Sequence, residues 1–252
     1  MPRFLTFAPA APMASFGAIA VGERRSGWDR PARSAVLVLI GACLGLARED
    51  DAEQECLAEG YSVALLCHAP GRLLADYHAT QVPSARRDRR FATRAEELGE
   101  PELNISLSRR DHRNGAWHLG AVRGRDGTPR WTLEDLAAAM RRQIFVPYLG
   151  RKSCPLGLRL GPRIEEADDV IAALMERHRA GPEAALESAG GRPLRAILAN
   201  LPIQSVTVMD ADEVAQNDPR RPRTEYRRDQ PRSRRRWQFD VRAEAVLGAG
   251  RS

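Results

Sequence analysis

Lysine is almost missing from this chain: of 39 basic residues only Lys152 is a lysine, and the rest are arginine. G- and C-rich coding produces that ratio as readily as nucleic-acid binding does, so the ratio alone assigns nothing. Aromatics are thin at 6%, and there are four cysteines, Cys43, Cys56, Cys67 and Cys154. Their spacing pairs none of them for zinc and their density is far below that of a disulfide scaffold, so they read as reduced thiols. Cys43 lies in an apolar run and reads as core, whereas Cys154 follows two cations and is the one whose surroundings favour a thiolate. No apolar run can span a bilayer. The longest, Ala35 to Ala47, has 13 residues including Gly41 and Gly45, against the ~18 a span needs, and reads as a buried helix. Pro9 and Pro12 interrupt the short apolar N-terminus, so no secretory leader is expected; the expected location is the cytoplasm, with no membrane partner. The five histidines, His68, His78, His112, His118 and His178, show no ligand pair at helical spacing, so no metal or cofactor is expected. His78 and His112 stand as candidate general bases toward a ribose hydroxyl, with packing or hydrogen bonding as the alternative role.

The chain has 252 residues, 43% hydrophobic and 29% charged, enough for a real core in one domain with an elaboration. Its net charge of +6 is local. Between Pro219 and Arg236 nine arginines face only Glu225 and Asp229, a surplus of +7 that leaves the remaining residues near −1. A second cluster, Arg86, Arg87, Arg89, Arg90 and Arg94, is offset only by Asp88. Both suit polyanion binding through phosphate contacts; a solvated loop is the alternative for each.

Arg3 to Phe7 reads as a strand, followed by a loop to Gly17. Ser34 is a candidate cap for a helix running to about Ala47. Tyr61 to Cys67 and Trp117 to Val122 read as strands, Thr132 and Asp135 as a capping box opening a helix through Arg142, and Ile144 to Leu149 as another strand. With a long polar insertion from about Arg72 to Gly115, the order is β-α-β-β-α-β, that of a ferredoxin-like α+β domain. That domain is expected over 1–155, and a smaller C-terminal β-rich region over 156–252. The latter holds a helix near Ile164 to His178, strands near Ile203 to Met209 and Trp237 to Val241, and an arginine-rich loop over 219–236. Gly150-Arg151-Lys152-Ser153 lacks the upstream glycine of a nucleotide-binding loop, but a glycine beside two cations suits close approach of an RNA backbone.

Several segments, in this order, resemble one family. Ala11-Pro12-Met13-Ala14-Ser15-Phe16-Gly17 is similar to the Gly-Pro-Met-Gln-Ser-Trp-Gly of CasD-type subunits of type I-E CRISPR Cascade complexes. Pro31-Ala32-Arg33-Ser34 and Gly41-Ala42-Cys43-Leu44-Gly45 resemble its Pro-Thr-Arg-Ser and Gly-Ala-Cys-Leu-Gly. Asp76-Tyr77-His78 resembles its Asp-Tyr-His-Thr, and Tyr148-Leu149-Gly150-Arg151-Lys152-Ser153-Cys154-Pro155 matches its most recognisable stretch. The chain departs at Ala14 and Phe16, and where Arg110-Asp111-His112-Arg113-Asn114-Gly115-Ala116 stands for Arg-Glu-Tyr-Leu-x-Asp-Ala. The C-terminal third carries only Arg236-Trp237, and the 219–236 stretch matches no motif of the family.

The resemblance implies a RAMP-type, RNA-recognition-like domain whose 72–115 insertion is a thumb hairpin. It implies a non-catalytic subunit that holds the 5′ handle of CRISPR RNA, caps a filament of CasC backbone subunits, adjoins the large CasA subunit, and meets target DNA through the assembled complex. Relatives in type I-C systems cleave precursor RNA, so an endoribonuclease is the alternative. The expected RNA contacts are Arg33 and Ser34 at a helix N-terminus, Arg86, Arg87, Arg89, Arg90 and Arg110 in the thumb, and Arg151 and Lys152 after the final strand.

Overall fold

An apolar run such as Tyr61 to Cys67 has no polar face, so a strand built from it must be covered on both sides. A computed structural model shows how, describing residues 1–20, 22–85, 90–125, 127, 129–180, 203, 205–221, 223–233, 236 and 238–248. The elements run β1 (Arg3–Phe7), β2 (Ala10–Ala14), β3 (Arg24–Arg25), α1 (Arg33–Leu44), α2 (Asp51–Gly60), β4 (Tyr61–Ala69), β5 (Arg72–Pro83), α3 (Arg94–Leu98), β6 (Leu103–Gly124), α4 (Leu133–Arg141), β7 (Arg163–Glu166), α5 (Val170–Ala180), β8 (Ser205–Val208), β9 (Arg223–Ser233) and β10 (Gln238–Gly248). The strands join one large, mainly antiparallel sheet in the order β7-β1-β6-β4-β8-β10-β9, with β2, β3 and β5 added along the long β6. On one face Val63 and Leu65 of β4 pack with Leu5, Phe7 and Val122 beneath Val36, Leu37 and Ile40 of α1 and Leu136 and Met140 of α4. On the other, Ala64 and Leu66 pack with Leu119, Val206, Val208 and Leu247 beneath Leu174 of α5. β4 thus separates two cores, which explains its unbroken hydrophobicity. Among the described residues no helix is long and apolar enough to cross a membrane.

Several expectations are corrected. The stretch Ile144 to Leu149 is not a strand: the Ile144 and Phe145 amides donate to the Cys43 and Ala42 carbonyls at the end of α1. The strand that follows α4 is β7, inside the segment expected to be helical. There Asp169 accepts from the Ala172 amide at 2.7 Å and starts α5 only after the strand has ended. The Pro, Ala and Gly stretch before Gly17 contains β2, held by Ala10 opposite Trp117 and Met13 opposite Asn114 on β6. α1 stops at Leu44, because Gly45 adopts the left-handed conformation at φ 78° and caps it. α2, unforeseen, is capped by Asp50, whose carboxylate accepts from the Glu53 amide. The expected capping box of Thr132 and Asp135 is present at α4. The insertion after Gly71 is a ribbon of β5 and the outer half of β6, paired from Arg72↔Asn114 to Pro83↔Leu103.

The largest correction is the arginine-rich stretch, which is not a loop but mostly β9, paired along β10. Its alternation explains why: Arg227 and Asp229 are buried while Tyr226 and Arg228 face solvent. The register skips at Asp229 and at Arg232, two bulges of the kind that re-aim a side chain. The first turns Asp229 to the start of α1, where it accepts from the Ser34 amide at 3.1 Å. Arg242 donates to Asp229 at 3.0 Å and to Glu244 at 2.5 Å. Arg30 reaches Glu225 and Glu244, and Arg227 donates to the Pro31 and Arg30 carbonyls at 3.1 and 2.9 Å while stacking over Trp28. Burial pulls the Arg227 pKa down to about 10 despite Glu244. Arg33 is 2% exposed. It donates to Asp210 at 3.0 Å and to the Ala58 and Tyr61 carbonyls at 2.7 Å each, and Asp210 also accepts from Arg125 and the Val63 amide.

Removing one partner of a buried charge network strands the others, at a cost of about 3–5 kcal/mol. Asp210→Ala is therefore expected to lower the urea midpoint sharply, whereas Glu134→Ala, which breaks the exposed Arg3–Glu134 pair, leaves it nearly unchanged. Equal effects in urea unfolding of the two variants would contradict the structural role given to Asp210.

Candidate nucleic-acid interface

The β5–β6 ribbon leaves the body of the sheet with apolar side chains exposed on both faces, Leu74 and Val82 on the one that carries Asp76. Leu73, Tyr77, Ile105 and Leu107 are exposed on one face. On the other, Asp76 stands directly across from Arg110 and His78 across from Ser108. β3 runs parallel beside β6 and sets Arg25 next to Arg110. Against this corner lies the loop of residues 148–155, closed by a bridge between Tyr148 and Pro155 and by the Leu149 amide donating to the Cys154 carbonyl at 2.9 Å. The loop brings Arg151 over His112, with a guanidinium nitrogen 3.2 Å from Nε2.

That contact decides the state of His112. Arginine only donates, so Nε2 accepts and the ring proton sits on Nδ1, 3.8 Å from the Cys154 sulfur. Burial first, then the Arg151 charge, hold the imidazole below its ordinary pKa. His112 is thus a neutral strut carrying Arg151, and its basic nitrogen is already occupied. Arg151 is itself held below the ordinary arginine range, by burial and then by Arg110, with Arg25 adding to the repulsion and Asp76 opposing it. Asp76, the carboxylate that opposes this repulsion, is engaged by His78 at 2.5 Å, and Arg110 reaches no carboxylate among the described residues. Three arginines from three segments therefore share one corner with too little negative charge, which is the electrostatic requirement for holding phosphate.

The residues expected from sequence divide accordingly. Arg110 and Arg151 are brought together, with Lys152 exposed beside them. Arg90 is exposed in the connection between β5 and α3; the paired ribbon itself ends at Pro83↔Leu103, seven register steps beyond Asp76↔Arg110, roughly 24 Å at ~3.4 Å per residue. Arg86, Arg87 and Arg89 lie outside the described residues. Arg33 and Ser34 are corrected: the Arg33 guanidinium is spent inside the protein, and the helix N-terminus that was to receive phosphate already holds Asp229. Gly150 is corrected too. At φ +88° its missing side chain makes room for the Ser15 carbonyl, which a Cβ would meet at 1.7 Å; the backbone it admits is the chain's own. Arg25 was missed because no local signal marks it; only the parallel pairing of β3 with β6 does. Of the other histidines, His118 is fully buried against Phe16, its pKa pushed down to about 3 by burial, and His68 stacks on Trp117; both are core.

A family model described as CRISPR-associated protein (Cas_Cas5) matches residues 4–243. The chain is 29% identical over 198 residues to the CRISPR system Cascade subunit CasD of Escherichia coli strain K12, covering 72% of this chain and 80% of that one. In fold it resembles a chain of a CRISPR RNA-guided surveillance complex, with a TM-score of 0.61 at 19% identity over 97% of this chain and 89% of that one. It also resembles a Cas protein crystal structure, with a TM-score of 0.54 at 20% identity over 97% and 95%.

The His112 assignment is checked by NMR titration of the imidazole nitrogens. Its midpoint is expected below the ordinary 6.5, with the proton on Nδ1, and Arg151→Met is expected to move it upward. A midpoint at or above 6.5 in the unaltered protein, or one that Arg151→Met leaves in place, would contradict the strut.

Proposed function

The chain belongs to the CRISPR-associated Cas5 family, and we propose that it is a non-catalytic RNA-binding subunit of a CRISPR surveillance complex, holding the 5′ handle of the CRISPR RNA. The convergence of Arg25, Arg110 and Arg151 on one under-neutralised corner carries this reading. An unstacked single strand presents its phosphates to such a corner while its bases remain free to be read. In this reading β1, α1, β4, β6, α4 and β7 form a ferredoxin-like, RAMP-type unit. β1 lies between β6 and β7, antiparallel to both, with β4 outside β6, which supports that topology. It also carries the unit past residue 155 to include β7. The 72–115 ribbon is the thumb, and β8 to β10 are the C-terminal β-rich addition. The subunit caps a filament of CasC-type subunits, adjoins a CasA-type large subunit, and works in the cytoplasm on target DNA only through the assembled complex.

The absence of cleavage is part of the proposal, supported by the occupied Nε2 of His112. The endoribonuclease alternative rests on His78, whose contact with Asp76 beside Arg110 is an arrangement suited to proton transfer near a bound strand.

Each phosphate contact to a single strand contributes roughly −0.7 to the slope of log affinity against log salt. Arg110→Ala with Arg151→Ala is therefore expected to flatten that slope by about 1.4 for repeat-derived RNA, and the unaltered protein to leave that RNA intact. An unchanged slope would remove the corner from RNA binding. Cleavage within the repeat that His78→Ala abolishes would establish the endoribonuclease instead.

A further inference from the structure

The bulge that turns Asp229 inward has a counterpart on the outer side of the same ribbon. Of the two acids in the 219–236 stretch, Asp229 is buried at α1, and Glu225 is half-buried and held by Arg30 and Arg223. What the stretch leaves to solvent is therefore one-sided. Tyr226 is 70% exposed, and the residue directly across from it on β10 is Ala243, too small to cover an aromatic ring. Arg228, the next residue on that face, stands across from Val241, itself 54% exposed. Arg232 is exposed at the second bulge. Among the described residues neither the Arg228 nor the Arg232 guanidinium meets a carboxylate, and the only exposed acid on the two strands is Asp240. Arg220, Arg221, Arg223 and Arg227, in contrast, are tied to Asp218 and Asp169, to carbonyls of 211 and 214, to Glu225, and to carbonyls of 30 and 31. Among the described residues the stretch thus contains two populations: arginines that build the fold, and Arg228 and Arg232, which meet no carboxylate.

We propose that the solvent face of the β9–β10 ribbon, with Tyr226, Arg228 and Arg232, is a second binding surface for single-stranded nucleic acid, separate from the Arg110–Arg151 corner. An uncovered aromatic ring on a sheet surface is a platform on which any base stacks, and unpaired arginines beside it bind the backbone. Val241 extends the apolar floor beside Arg228. A purely solvated face would have no use for an exposed ring between cations. Charge complementarity selects a polyanion, and the open ring selects a strand with unstacked bases over a duplex. DNA and RNA single strands share this chemistry. The surface is formed by β9 and β10 alone and does not depend on the handle reading.

The test is fluorescence anisotropy of the full-length protein with labelled oligo(dT) and, separately, oligo(U), across a salt series. Tyr226→Ala is expected to weaken binding about tenfold or more, while Tyr226→Phe retains it. Arg228→Ala with Arg232→Ala is expected to flatten the salt slope by about 1.4. Unchanged thermal midpoints would show that the fold is intact, and repeat-derived RNA should still bind these variants at the other corner. Tighter binding of oligo(dT) would identify a DNA strand as the ligand, and tighter binding of oligo(U) an RNA strand. Oligonucleotide affinity that ignores all three ribbon variants would overturn the proposal, as would affinity lost only with Arg110→Ala and Arg151→Ala. Neither result would touch the handle reading, which stands or falls with repeat-derived RNA.

Discussion

A helix N-terminus carries unpaired amides and a partial positive charge, and something must answer both. In α1 the answer comes from the far end of the chain. Ala32, at the cap position, offers no side-chain bond, and the carboxylate that meets the Ser34 amide belongs to Asp229, 195 residues away. Around that contact Arg30, Arg33 and Arg227 are buried with Asp210 and Glu244, and Arg242 and Glu225 are half-buried. The apolar surfaces of the sheet set which elements pack, but this network sets how the β9–β10 ribbon and the loop after β8 sit on α1. Its charges are too buried to be left unpaired, so the C-terminal strands cannot leave without stranding ions in the interior.

The same network decides what the arginines are free to do. Composition presents them as one basic population, yet the fold separates them by partner. Arg33 and Arg227 are spent on carbonyls and carboxylates inside the protein. Arg25, Arg110 and Arg151 are gathered from distant segments by pairing of β3 with β6 and by the loop folded over His112. Arg228 and Arg232 are placed outward by strand alternation and a bulge. A substitution at Arg33 or Arg227 would therefore act on stability first, whereas one at Arg110 or Arg151 would act on the surface potential.

Much of the fold was legible where local chemistry dominates. The apolar run of β4, the alternation of β1 and the Thr132–Asp135 capping box each named their element. What was hidden was non-local. β2 carries Pro12 and small residues that look like a loop, and only its pairing with β6 makes it a strand. Ile144 to Leu149 has strand composition but is drawn off to cap α1. The 219–236 stretch reads as a loop because its inward positions, Glu225, Arg227 and Asp229, are charged; a strand that buries ions has no hydrophobic alternation to detect. The candidate site divided the same way: the resemblance marked Arg110 and Arg151, while Arg25 and the roles of His112 and Asp229 depend on distances that sequence does not carry.

Whether RNA meets the Arg25–Arg110–Arg151 corner rather than the start of α1 can be read in one measurement, hydrogen–deuterium exchange of the full-length protein with and without repeat-derived RNA. Backbone amides over 22–27, 108–113 and 149–154 are expected to gain protection, and those over 32–37, already held by Asp229 and the buried arginines, to stay as they were. New protection confined to 32–37, with none at 108–113 or 149–154, would mean that the helix terminus opens to receive phosphate and that the buried network is not the fixed frame described above.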